Sequence, residues 1–272
     1  MALNIAPERA ELAHRTPAEM RAMIRRGAWT AATFGCALGY TQANLAILPL
    51  EYAFEFLLFC QRNPKPCPIL EVTDPGSPEP RQMAPGADLR TDLPKYRIYE
   101  HGQLVAEPTD IVDYWRDDLV AFLIGCSFSF EGALLRANVP VRHIEDGKEN
   151  SAMYITNIAC RPAGRFAGPM VVSMRPVPPD KVVRAVQVTS RFPNTHGAPI
   201  HIGDPAAIGI KDLSKVDYGE PQRIEPGEVP IFWACGVTPQ AVALASKLPF
   251  IITHAPSHMF ITDVLDEETA VL

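Results

Sequence analysis

The segments "LVAFLIGCSFSFEGALLRA" and "VPIFWACGVTPQAVALASK" constrain the fold most, because one plan is written into both. Each opens with an apolar run of strand length, 119–125 in the first and 229–235 in the second. A glycine and small residues interrupt, and an alanine- and leucine-rich helical stretch follows. In the second segment Thr238 is the expected N-cap and Pro239 the first helical residue. That segment runs on into "LPFIITHAPSHMFITDV", so the order is strand, helix, strand, and such a crossover predicts neighbouring parallel strands in a sheet covered by helices. Ligands of open sheets bind outside the carboxyl ends of the strands. Cys126, Ser127, Ser129, Cys235, Gly236, Thr253 and His254 fall there. A helix dipole favours the thiolate of a cysteine at its amino end, so Cys126 and Cys235 read as the two thiols of a cofactor-independent racemase or epimerase. Burial as small apolar side chains is the competing reading.

Other elements follow from capping and periodicity. "TPAEMRAMIRRG" reads as a helix with Thr16 as N-cap, Pro17 in the first turn, Glu19 completing a capping box and Gly27 at the stop. A second helix follows Pro49 and ends before Pro64. Between the two, "TFGCALGYTQANLAILP" suits a loop or helix start in which Tyr40, Gln42 and Asn44 are free to meet a ligand. Prolines and glycines from Pro64 to Pro94 predict an extended, irregular segment, and "YRIYEHGQLVAEP" predicts a hairpin turning at His101 and Gly102. Two strands, "MYITNIAC" and "GPMVVSMRP", and a helix in "PDKVVRAVQVTSRF" suggest a smaller α+β unit over 141–194, with a main α/β domain formed by 1–140 and 195–272.

Four of the seven histidines lie in two glycine- and proline-rich stretches, His196 and His201 in "NTHGAPIHIGDP" and His254 and His258 in "THAPSHM". At i, i+4 only a helix presents both members of the second pair on one face, and Pro256 argues against one. There is no H-E-x-x-H. Proton transfer by an imidazole is the more economical use, with His196, His201 and His254 as candidates and His258 on the binding side. No metal site is assigned. A loosely held divalent ion, manganese or magnesium, is compatible with the chemistry without being required. Asp204 before Pro205 reads as a helix N-cap. Arg142, Arg175 and Arg191 stand in stretches with few other charges, and each guanidinium needs a carboxylate partner, internal or from an acidic substrate.

The absence of G-x-x-x-x-G-K-[ST] and of a G-x-G-x-x-G after a strand argues against a nucleotide cofactor. A net charge of −6 without a lysine- or arginine-rich run argues against a nucleic-acid partner. No apolar run reaches the ~18 residues of a membrane span, and the start lacks the apolar core of a signal peptide, so a cytoplasmic protein is expected. Six cysteines without a C-x-x-C fit neither a zinc ribbon nor a disulfide scaffold. A homo-oligomer is left open.

With "GYTQANLAILP", "TDLPKYRIY", "IGCSFSFEGAL", "PVRHIE", "GPMVVSMRP", "VTSRFP", "HGAPIHIGDP", "FWACGVTPQ" and "ITHAPSHMFITD" in this order, the chain resembles the D-glutamate cyclase-like family from about residue 15 to 265. Its bacterial members are described as hydro-lyases. The resemblance implies a three-layer α/β/α domain with a smaller two-layer α+β domain. It also implies conversion of D-glutamate to 5-oxo-D-proline with loss of water, in D-amino acid metabolism. It brings no catalytic residues with it. The expectation from the residues is that Arg142 and Arg191 take substrate carboxylates, that a histidine moves the proton, and that Ser127, Ser129 and backbone N–H groups near Cys126 or Gly236 meet the oxygen that develops charge. A non-catalytic binder of an acidic metabolite would need the same arginines and the same cleft.

Overall fold

The computed structural model describes residues 7–148 and 151–271. In chain order its strands are β1 (Tyr40–Pro49), β2 (Ile69–Val72), β3 (Tyr96–Glu100), β4 (Gln103–Ala106), β5 (Leu119–Gly125), β6 (Ala152–Ala159), β7 (Pro169–Val177), β8 (His201–Ile202), β9 (Val229–Ala234), β10 (Ile251–His254) and β11 (Phe260–Leu265). Its α-helices are α1 (Pro7–Ala13), α2 (Pro17–Arg25), α3 (Leu50–Arg62), α4 (Phe128–Arg136), α5 (Arg142–Glu145), α6 (Val182–Ser190) and α7 (Val237–Ala245). Among the described residues no helix is long and apolar enough to cross a membrane.

The fold is mixed α/β with two sheets. The larger runs β2–β5–β1–β10–β3–β4, with β11 paired to β1, and the smaller runs β6–β7–β9–β8. All seven residues of β5 are buried. Leu119, Ala121 and Leu123 face one core and Val120, Phe122 and Ile124 the other, so covering both faces explains why the strand reads as a continuous apolar run. Helices α3 and α7 cover one face. The other is covered by the proline-rich segment before β3, through Met83, Ala84, Ala87, Leu89 and Leu93. That segment is irregular as expected. It is pinned where the buried Tyr96 hydroxyl donates to Leu89 O at 2.8 Å and accepts from Leu93 N–H at 3.2 Å.

Each strand–turn–helix unit crosses from one sheet to the other. Helix α4 leaves β5 of the larger sheet and packs Phe130 and Leu134 against Ile231 and Trp233 of the smaller one. Helix α7 leaves β9 of the smaller sheet and packs Val242 and Ala243 into the core beneath Phe122 and Ile251 of the larger. Trp233 is fully buried at this exchange, and truncation to alanine should cost ~3–5 kcal/mol.

Several expectations are corrected. Among the described residues every strand pair is antiparallel, and β9 and β10 lie in different sheets, because α7 carries the chain across instead of back onto the sheet it left. Residues 40–49 form a central strand and not a loop or helix start, since Ala43, Leu45 and Ile47 alternate with Ala46 and Leu48 between two cores. The smaller sheet includes β8 and β9, whose segments were expected in the main domain; β9 pairs along β7 from Val172↔Ala234 to Val177↔Val229. Thr238 is not the N-cap of α7. Gly236 occupies that position, and the buried Thr238 hydroxyl donates to Val171 O at 3.1 Å and accepts from Val171 N–H at 3.0 Å.

The capping box of α2 forms as read: Thr16 N–H donates to Glu19 Oε2 at 2.8 Å and Glu19 N–H to Thr16 Oγ1 at 3.3 Å. The Asp204 side chain accepts from Ala206 N–H at 3.0 Å and caps a single 3₁₀ turn.

Candidate active site

The two crossings bring the turns after β5 and β9 to the seam between the sheets, and Arg175 of β7 is fully buried there. Its guanidinium donates to Glu131 Oε1, from Nε at 3.1 Å, to Ser127 Oγ at 3.0 Å and to Ser173 Oγ at 3.1 Å. The second oxygen of Glu131 meets His143 Nε2 at 3.2 Å. His143 is itself buried between Phe34, edge-on, and Phe128, stacked. Burial pushes the Glu131 carboxyl up, but the charges and hydrogen bonds of His143 and Arg175 outweigh it and leave the group below the usual carboxylate range.

A cavity of about 170 Å³ opens in front of Glu131. Its walls come from the 34–39 loop, the start of β1 with Tyr40 and Gln42, the first turn of α4, Ile144 and Gly147, Arg9 of α1 and Asp266. Gln42 is held rigidly: its amide donates to Thr33 O at 3.0 Å and accepts from the Thr33 hydroxyl at 2.8 Å, and its backbone N–H donates to Ser129 Oγ at 3.1 Å. The Arg9 guanidinium lies 3.7 Å from the centre of the Phe34 ring and donates to Ala32 O at 2.9 Å and Phe34 O at 2.8 Å. Asp266 is pushed up to about 7, first by burial and then by Glu267, against hydroxyls of Thr41, at 3.3 Å, and Ser129. Two carboxyls with protonation driven in opposite directions share one enclosed space, which is the arrangement acid–base chemistry uses.

The sequence-derived candidates are distributed around this cavity rather than all within it. Tyr40 and Gln42 line it, and Ser127, Ser129 and Arg175 form its supporting layer. Asn44 lies at the turn, donating to Gly125 O at 2.9 Å, and Gly236 is pressed against its amide. Burial pushes both the Cys126 and the Cys235 thiol up, overriding the helix dipole, so the expected activated thiolates are not formed. Arg142 is committed to Glu145, at 2.5 Å, and to Glu228. Arg191 is exposed and reaches Val271 O at 3.4 Å.

The histidines are not gathered into one cluster. His196 is buried with φ +81°, its Nδ1 2.9 Å from Lys65 O, and burial lowers it to about 4. His254 is buried under β1, its Nδ1 accepting from Leu45 N–H at 3.0 Å, and burial lowers it to about 3. Both rings are therefore neutral at pH 7. His201 meets Asp204 O at 2.7 Å and tilts against Phe232, while His258 meets Pro256 O at 2.7 Å beside a surface cleft with Lys95 and Arg97. Among the described residues no three histidines, cysteines or acidic groups converge to hold a metal ion.

The family model of D-glutamate cyclase matches residues 120–263, from β5 into β11. A "Putative hydro-lyase" of Thermoanaerobacter pseudethanolicus is 66% identical over 97% of this chain and 99% of its own length. Proteins of the same description from Stutzerimonas stutzeri, at 65% over 94% and 97%, and Geobacillus kaustophilus, at 65% over 93% and 96%, are similar to the same degree. This chain belongs to the D-glutamate cyclase family. Among solved structures, a nitrogen repressor-like protein of Methanococcus jannaschii aligns over 90% of this chain and 97% of its own at TM-score 0.39 and 13% identity, a likeness too weak to carry fold or function.

In this D-glutamate cyclase family chain, four cavity-associated groups escape sequence reasoning: Arg9, Glu131, His143 and Asp266. Glu131 left a signal, a lone carboxylate inside the apolar run "FSFEGALL". Asp266 left none, because "DVLDEET" reads as a solvated acidic turn.

Proposed function

We propose that this protein is a hydro-lyase acting on a small acidic amino acid or related carboxylate in the cytoplasm, with D-glutamate cyclising to 5-oxo-D-proline and water as the leading reaction. The observation that carries this reading is the pairing of Asp266, near 7, with ionised Glu131 on one enclosed cavity. A group titrating near neutrality both accepts and returns a proton at working pH.

Cyclisation joins an ammonium and a carboxylate with no net change in protons. Ionised Asp266 takes a proton from the ammonium and frees the lone pair to attack the γ-carboxyl carbon. Protonated Asp266 then returns that proton to the departing oxygen, and a second nitrogen proton leaves with the water. Glu131 supplies fixed negative charge for the ammonium, and Arg9 supplies positive charge for the α-carboxylate. Phe34 and Phe128 restrict solvent around the reacting groups. Holding amine and carboxyl in register contributes on the scale of ~7–11 kcal/mol for well-aligned intramolecular reactions, so no nucleotide is needed to drive it. The raised thiols weigh against a two-cysteine racemase.

Chiral mass spectrometry of metal-depleted protein with D-glutamate tests the reading, with L-glutamate and a manganese-supplemented tube alongside. Enzyme-dependent 5-oxo-D-proline is expected. Absence of product in every tube rejects glutamate cyclisation.

A further inference from the structure

Glu267, the residue after cavity-lining Asp266, lines a surface notch of about 230 Å³ between α4 and α6. Arg184 of α6 and Arg191, which caps that helix, stand at i and i+7 on the same side with Val188 between them, and Arg136 enters from the end of α4. Glu267 pairs with Arg136 at 2.9 Å. Among the described residues neither Arg184 nor Arg191 has a carboxylate within salt-bridge distance. Among the described residues three guanidiniums therefore face one carboxylate, in a chain whose net charge is −6. Ala133, Ala137 and Phe192 complete the lining between the arginines. Two fork-shaped guanidiniums, one on the helix and one at its end, match the separated oxygens of a multivalent anion better than a single carboxylate.

We infer that this notch is a second anion-binding site, for a small multivalent anion bearing phosphoryl or several carboxylate groups, separate from the cavity that holds Asp266. Glu267, the carboxylate that lines the notch among the described residues, adjoins Asp266 in sequence, so an anion drawn to Arg136 alters the charge around the cavity's acid.

Calorimetric titration of the full chain at low ionic strength tests this with inorganic phosphate and with citrate as separate probes, against chloride at matched ionic strength. Saturable binding of at least one probe is expected, and which one binds tells phosphoryl from polycarboxylate chemistry. Arg184→Gln with Arg191→Gln should weaken it at least tenfold, while Arg81→Gln, on another surface, leaves it within twofold. Both notch arginines are exposed, and unchanged circular dichroism of the variants establishes that they fold. No saturable binding of either probe overturns the inference. So does binding that survives the double substitution, or that is lost only with Arg9→Gln, which would locate the anion in the cavity. The titration contains no substrate, so its failure is distinguishable from failure of glutamate cyclisation.

Discussion

Asp266 and Glu131 line the same cavity, and their surroundings drive them apart: Asp266 is lifted to about 7 while Glu131 is held ionised by Arg175 and His143. If Asp266 is the proton-transfer group, its ionised form must be present at the start of each turnover. Turnover should then rise with pH through about 7 and level off above it. Asp266→Asn should lower kcat by at least about a hundredfold with KM changed much less, and the limb near neutrality should vanish from what activity remains. A pH–rate profile of D-glutamate turnover for both proteins checks this. A limb that persists in the variant would assign the titration elsewhere.

The Glu131–Arg175 pair is the structural counterpart. Both side chains are buried, so removing the carboxylate by Glu131→Gln leaves a guanidinium without its charge partner, at a cost of ~3–5 kcal/mol. Replacing both, as Glu131→Gln with Arg175→Met, removes the orphaned charge and should recover part of that loss. Urea denaturation of the two variants decides it: a double variant no more stable than the single one would show that the pair's electrostatics are not what holds the seam.

The local elements were largely legible because short-range chemistry determines them. Thr16 and Glu19 announced the α2 cap, and the apolar run 119–125 announced β5. Misreadings arose where a distant partner decided the outcome. Nothing near Thr238 reveals that its hydroxyl turns to Val171 of another strand, and nothing near Cys126 reveals that burial outweighs the helix dipole. Strand–helix–strand order alone points to a parallel sheet, yet that order is equally satisfied by a helix that changes sheets. Tyr40 and Gln42 read in the sequence as part of a ligand-facing loop, whereas the start of strand β1 is what brings them to the cavity.

Acid should destabilise the protein through His196 and His254. Their folded values, about 4 and about 3, lie below the ordinary histidine value of 6.5, so folding keeps both rings neutral. The stability they support is complete above pH 6.5. It is lost as pH falls through 6.5 toward 4 and 3, where the unfolded chain binds protons that the folded chain refuses. Asp266 has the opposite sign: raised from 3.8 to about 7, its contribution is complete below 3.8 and lost as pH rises through about 7. Midpoints of urea unfolding from pH 4 to 8 should therefore rise from acid toward neutrality in the native protein, less steeply in His196→Gln. Above pH 7 Asp266→Asn should be more stable than the native chain.

The seam itself can be tested at its two glycines. A Cβ on Gly236 would lie 2.0 Å from Asn44 Nδ2, and one on Gly125 would lie 1.9 Å from the backbone oxygen of Asn194. Both contacts are too close to survive, but the obstacles differ in kind. The Asn44 amide is a side chain whose removal opens space, whereas the Asn194 carbonyl belongs to the 3₁₀ turn before His196 and moves only with the chain. Gly236→Ala should cost ~1–3 kcal/mol, the usual range for overpacking. Adding Asn44→Ala relieves the clash and should return part of the loss, although Asn44 also gives up its hydrogen bond to Gly125 O. Gly125→Ala should cost more than Gly236→Ala and gain nothing from Asn44→Ala, because its obstacle is backbone. Thermal melts of the four variants separate these outcomes, and equal losses at the two glycines would mean that the turn after β5 is not braced by the chain leading to His196.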